Sequence, residues 1–237
     1  MAEHSTRLAL PSGRSLEVHI TPRRGAKRLS LRMDPISRCL KVSGPVRLSQ
    51  RQAMAFVQDN LGWIDARLDA LPPPATFLEG RLILFRGRPT RLVRIEGRGA
   101  ASFQDGCDPV LVIASSSARF AARTLAALKG FAQSDALDYA DRLAVKLGRR
   151  PTSIRLGDMR TRWGSCTSQG DIRLSWRLIG APPKVFEYVV AHELAHLCEL
   201  NHSPAFWAHV SRLMPDWKPA RAWLKAEAAS LQALGQS

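Results

Sequence analysis

Four side chains able to bind or activate something lie within eleven residues of the stretch VVAHELAHLCELNHSPAFW. They are His192, Glu193, His196 and His202, in a chain of 237 residues that has six histidines. In a helix, residues four apart stand one above the other on the same face. His192 and His196 therefore present two imidazoles to a single ion. Glu193 is turned to the side, where it holds a water rather than the metal. This is the physical content of H-E-x-x-H: two nitrogen ligands for zinc, with a carboxylate placed as general base. The plain alternative is a helix that carries packed histidines. Against it, Tyr188, Val189, Val190, Leu194 and Leu197 give the helix an apolar back, and a third histidine follows.

Glu199 and His202 compete as third ligand. Glu199 shares the helix face of His192 and His196, but seven residues of helix rise ~10.5 Å, far beyond zinc bonds of ~2.0–2.3 Å. His202 is suitable if the helix ends and the chain turns back. Asn201, tolerant of left-handed backbone, and Ser203-Pro204, a helix start, predict that turn. The spacing from His192 to His202 also matches the metzincin pattern. The glycine of that pattern is Glu199 here, which excludes a metzincin proper. His209, seven residues further on, is read as a packing or surface residue. His4 and His19 are assigned no role.

These residues need elements to position them. Short alternating segments at LEVHI (Leu16–Ile20), RLSLRM (Arg28–Met33) and CLKVSG (Cys39–Gly44) predict strands, the second with Arg28 and Arg32 on its polar face. Ser49 predicts a helix N-cap, followed by one apolar-periodic helix through Leu68. LPPPATF (Leu71–Phe77) stops it and is the best linker candidate. RLILF, TRLVRIE and VLVI predict further strands. From Ser116 the spacing is helical, as one long helix or two broken near Gly130. IRLGDMRTRWGSC and DIRLSWRLI predict two strands around a polar loop, and three helices follow from Pro182-Pro183. The expectation is an α+β fold. A β-rich region over 1–115, with one helix, precedes a catalytic domain over 116–237, in which the H-E-x-x-H helix packs on a small antiparallel sheet.

Composition bounds the rest. Hydrophobic residues at 45% and charged residues at 23% are ordinary for a globular chain and exclude a disordered one. The formal charge is +15, and residues 1–100 hold 18 of the 35 Lys+Arg but 8 of the 20 Asp+Glu. Such a field favours nucleotides or nucleic acid as partners, although a generally Arg-rich surface gives the same balance. Cys39, Cys107, Cys166 and Cys198 are widely spaced and form no C-x-x-C pair, against a zinc ribbon or disulfide framework. No apolar run approaches the ~20 residues of a membrane span, and no signal-peptide pattern opens the chain. A cytoplasmic protein is expected. Oligomeric state is not written in the sequence.

HELAHLCELNHSPAFW, preceded by RWGSC and RLSWRL, resembles the YgjP-like metal-dependent hydrolases, related to the WLM and SprT-like zinc peptidases. The resemblance is strong over Met159–Trp217 and weaker upstream, through RRGAKRLSLRM, GWIDARL and FLEGRLILFRGRP. It implies a zincin-like core, one zinc on His192, His196 and His202, and Glu193 as base. Arg160, Arg162 and Ser165, on the loop before the motif, are candidates for oxyanion or substrate contacts. Peptide or protein substrates follow by likeness, with RLSWRL as an edge strand for an extended peptide. A nucleotide or phosphoanhydride hydrolase, with Arg28, Arg32, Arg160 and Arg162 as a phosphate clamp, is the alternative. A nucleic-acid-associated module, or a protease acting on DNA-bound proteins, is a further one.

Overall fold

In the computed structural model, which describes residues 4–34, 38–71, 77–159 and 161–235, the chain divides into two units, Met1–Pro73 and Pro74–Ser237. The stretch expected as a linker spans this division and lies mostly outside the described residues. The boundary expected at residue 115 falls inside the second unit.

In the first unit, strands β1 (His4–Ala9), β2 (Ser15–Pro22), β3 (Ser30–Met33) and β4 (Leu40–Gly44) form one sheet in the order β1-β2-β4-β3. Period-two alternation sends Leu16, Val18 and Ile20 of β2 inward. Arg28, Ser30 and Arg32 are exposed, as the alternation predicts. The single helix expected after Ser49 is two, α1 (Gln50–Gln58) and α2 (Leu61–Asp69). Ser49 forms a capping box with Gln52, each side chain accepting from the other's backbone N–H. The break falls at Asn60, whose side-chain amide donates to the Phe56 carbonyl at 2.8 Å. That bond competes with helix continuation at a residue type prone to such local bonding. Val57, Ile64 and Leu68 close the core over the sheet.

In the second unit, β5 (Leu82–Phe85), β6 (Arg88–Ile95), β7 (Ser102–Gln104) and β8 (Val110–Ala114) form a sheet in the order β5-β6-β8-β7. Helix α3 (Phe120–Leu147) runs unbroken through Gly130. A glycine inside a helix costs ~0.5–1 kcal/mol. Burial of Thr124 and Leu128 before it, and of Ala132, Ala136, Ala140 and Leu143 after it, outweighs that cost. Gly148 ends the helix in the left-handed region, φ 74°.

A three-stranded sheet follows, made of β9 (Ser153–Gly157), β10 (Gly164–Cys166) and β11 (Asp171–Ser175) in the order β10-β11-β9. It is mixed, since β10 and β11 run antiparallel while β11 and β9 run parallel. RLSWRL is therefore not an edge strand. Its first half belongs to the central strand β11, and Trp176–Gly180 is a 3-10 turn. The edges are β10 and β9. Four helices complete the unit: α4 (Pro183–Ala195), α5 (Pro204–Leu213), α6 (Trp217–Ala226) and α7 (Ala228–Ala233). The mixed α+β class stands, with α4 packed against β10 and β11. Among the described residues no helix is long and apolar enough to cross a membrane.

Candidate metal centre

Pro182 and Pro183 start α4, where the missing N–H of proline is harmless. The helix is buried through Val185, Phe186, Val189, Val190 and Leu194, so its polar face is fixed in place. His192 and Glu193 lie in its last turn, and His196 caps it. The chain then tightens: His196, Leu197 and Cys198 each donate their N–H to the carbonyl three residues back.

The return of His202 uses chemistry other than the left-handed backbone anticipated at Asn201. Among the described non-glycine residues only Arg38 and Arg86 have positive φ. Asn201 instead accepts the Ser203 N–H on its side-chain oxygen at 2.9 Å, an Asx-type turn. Ser203 in turn caps α5, accepting from the Phe206 N–H at 3.3 Å, with Pro204 at its start.

The result is a near-equilateral arrangement of rings. The His192–His196 centroids are 5.2 Å apart, and His202 is 5.0 Å from each. One ring nitrogen from each histidine lies within 4.8 Å of the others. Two Zn–N bonds of ~2.0–2.1 Å at the tetrahedral angle set their nitrogens roughly 3.3 Å apart. The His202 and His192 Nε2 atoms are 3.1 Å apart. Nδ1 of His196 is 3.0 Å from the Glu199 carbonyl, which leaves Nε2 free for an ion and orients the ring from behind. Glu199 thus enters the site through its backbone. Nδ1 of His192 is buried and has no hydrogen-bond partner among the described residues. This donor set suits zinc and related imidazole-binding divalent ions.

Glu193 is 5% exposed. Burial pushes its carboxyl up to about 8, and the positive charge of Arg162 pulls in the opposite direction. Burial, then the neighbouring His196 and His202, lowers His192 to about 3, with a smaller contribution from Arg221. His196 is lowered as well, chiefly by burial. Neutral imidazoles offering lone pairs are what a metal requires.

Of the residues proposed as substrate contacts, Arg162 is exposed and its charge reaches Glu193. Arg160 lies outside the described residues. Ser165 is on β10 between Gly164 and Cys166. A Cβ on Gly164 would lie 2.7 Å from the Glu193 carboxylate carbon, and the charge of Glu193 contributes to raising the Cys166 thiol, pushed up to about 11 mainly by burial. Both neighbours thus look toward Glu193, and strand alternation turns the Ser165 side chain to the opposite face.

Several residues of the centre carry no sequence signature as ligands. Phe206, fully buried, packs its ring against all three histidines at 4.6–4.9 Å. Trp207 lies 5.9 Å from His192 and 6.0 Å from His202. It stacks on Trp217 at 4.6 Å, and Trp217 stacks on Tyr188 at 6.1 Å. The available signal was position: Phe206 and Trp207 occupy the first turn of the helix that His202 leads into.

The profile of the YgjP-like metallopeptidase domain matches residues 27–227. Among solved structures, the chain is similar to the metallopeptidase zymogen of Pyrococcus abyssi abylysin. Identity is 21% and the TM-score 0.37, with 39% of this chain and 93% of that chain covered. No curated protein matches.

Proposed function

The chain belongs to the YgjP-like metallopeptidase family, and on that premise we propose a zinc-dependent peptidase in which His192, His196 and His202 hold one ion and Glu193 is the general base. Family membership makes the chain a metal-dependent peptidase in general terms. The observation that carries the finer reading is the convergence of three imidazole nitrogens within 4.8 Å, beside a carboxylate that is 5% exposed.

A zinc ion held there supplies a Lewis acid that polarises a carbonyl and eases deprotonation of water. Glu193 takes up that proton on a carboxylate oxygen and delivers it to the departing amine. Its burial favours the protonated form, so it retains the proton until the leaving nitrogen accepts it. Arg162 opposes that effect of burial, favouring the carboxylate, and is the donor we assign to developing negative charge. Glu199 and Phe206 hold the rings of the triad in place. Strand β10, at the sheet edge beside Glu193, supports an extended peptide as substrate, because an edge offers unpaired N–H and C=O groups. All these groups lie within residues 116–237.

The test is cleavage of an unfolded protein by the zinc-loaded chain. Wild type cleaves it, a chelator stops cleavage, and Glu193→Gln abolishes it while zinc stays bound. Release of phosphate from a nucleotide with the same dependence on Glu193, and no peptide cleavage, overturns this reading in favour of a phosphoanhydride hydrolase.

A further inference from the structure

Arg221 stands beside the centre with its donors uncommitted. Trp217 and Arg221 are four apart on α6 and share one face. The Arg221 guanidinium carbon is 4.9 Å from the Trp207 ring centre and 5.7 Å from that of Trp217. Trp217 is itself fixed, since its indole N–H donates to the Ser211 hydroxyl at 3.0 Å. Trp207 links this stack to the rings of His192 and His202. Contact with an aromatic ring takes up none of the five N–H donors of a guanidinium, which stay open to a ligand.

Other arginines of this unit are matched to acids, as Arg86 is to Asp135, Arg94 to Glu79 and Arg177 to Asp158, or donate to backbone carbonyls, as Arg212 does to Lys146 and Leu147. Among the described residues no carboxylate or carbonyl takes a bond from Arg221, which is exposed. A guanidinium held beside two aromatic rings loses less freedom when it binds than an unsupported one, and its planar fork matches a carboxylate bidentately.

We propose that Arg221 is a specificity residue of the histidine centre, which takes the free carboxylate of a peptide ligand lying next to His192 and His202. The carboxylate is either the C-terminal group or an acidic side chain. This rests on the peptidase reading for its ligand class, and its test is kept separate from cleavage.

Tryptophan fluorescence of the full chain in the Glu193→Gln background, where nothing is turned over, reports ligand at Trp207 and Trp217. The probes are N-acetyl-Ala-Ala as free acid, the same peptide as C-terminal amide, and N-acetyl-Ala-Asp amide. The free acid is expected to bind about tenfold or more tightly than the amide. The Asp-containing amide shows whether a side-chain carboxylate substitutes for the terminal one. In Arg221→Gln the preference for acid disappears, and Arg221→Lys, which keeps the charge without the fork, retains only part of it. Arg221 is exposed, so neither change disturbs the core. Equal binding of acid and amide, absence of binding, or a preference that survives Arg221→Gln overturns the proposal. A zinc-loaded wild type that cleaves no peptide counts against the peptidase reading alone, because the carboxylate preference is read from binding.

Discussion

Gly164 on β10 and Glu193 on α4 approach so closely that any side chain at residue 164 would collide with the carboxylate: an added Cβ lies 2.7 Å from both Cγ and Cδ of Glu193. Glycine is required here for the space, since its backbone has no positive φ. The strand thus sets the position of the carboxylate relative to the three histidines. In Gly164→Ala the Glu193 side chain must move, and a displacement near 1 Å can cost on the order of 100-fold in rate. The expected result is a loss of kcat of that order with zinc content and thermal midpoint little changed, measured by peptide cleavage, elemental analysis and calorimetry together.

Phe206 is the shared support of the triad, in contact with each of the three rings. Phe206→Ala removes a fully buried ring and is expected to cost about 3–5 kcal/mol of stability. Zinc affinity should fall with it, because all three rings lose a wall. Denaturant unfolding and competition with a fluorescent chelator measure the two effects. Phe206→Leu, closer in volume, should restore most of the stability.

The turn that returns His202 depends on two short-range bonds, Ser203 N–H to Asn201 and Phe206 N–H to Ser203. Asn201→Ala and Ser203→Ala are each expected to destabilise by roughly 1 kcal/mol and to weaken zinc binding several-fold through His202. Residual zinc in either variant should remain sensitive to His192→Ala, which dialysis against a graded chelator series tests.

Tyr139 and Tyr188 are the only tyrosines in the sequence, and both phenols are raised, by burial first. Tyr139, packed edge-on against Phe186 at 5.6 Å, is pushed up to about 12. The folded chain therefore holds the Tyr139 proton more tightly than the unfolded chain, whose phenols titrate near ~10. The stability this contributes is fully present below pH ~10 and is lost as pH rises toward about 12. Phenolate absorbance at pH 10 should be lower in the folded chain than in urea, where about half of the phenol is ionised. Ionisation of the folded chain equal to that in urea contradicts the raised Tyr139 phenol, because Tyr188 is raised as well.

What was legible in the sequence follows the range of the interactions. The placement of His192, Glu193 and His196 on one helix is a matter of local spacing, and Ser49, Pro183 and Ser203-Pro204 mark their helices through local caps. Asn201 marks a turn by residue type, but the turn uses its side-chain oxygen rather than a left-handed backbone. Strand neighbours were legible only where a short loop joins them. The polar loop before RLSWRL marks its antiparallel partner β10, whereas its place at the centre of the sheet is decided by β9, which pairs with its other side in parallel. Strands β1 and β7 are not among the predicted segments, and β7 is only three residues long. Asn60 splits a helix that apolar periodicity alone runs straight through. The assembly of Trp207, Trp217 and Arg221 joins two helices, and no pattern within either announces the other.

The most direct test of the central claim is zinc per chain, by elemental analysis after purification without chelators, for wild type and His202→Ala side by side. A three-histidine centre predicts about one zinc in wild type and a marked loss in His202→Ala, with the fold retained, because His202 is exposed. A wild type that takes up no zinc when zinc is supplied, or a His202→Ala chain that holds zinc as tightly as wild type, contradicts it.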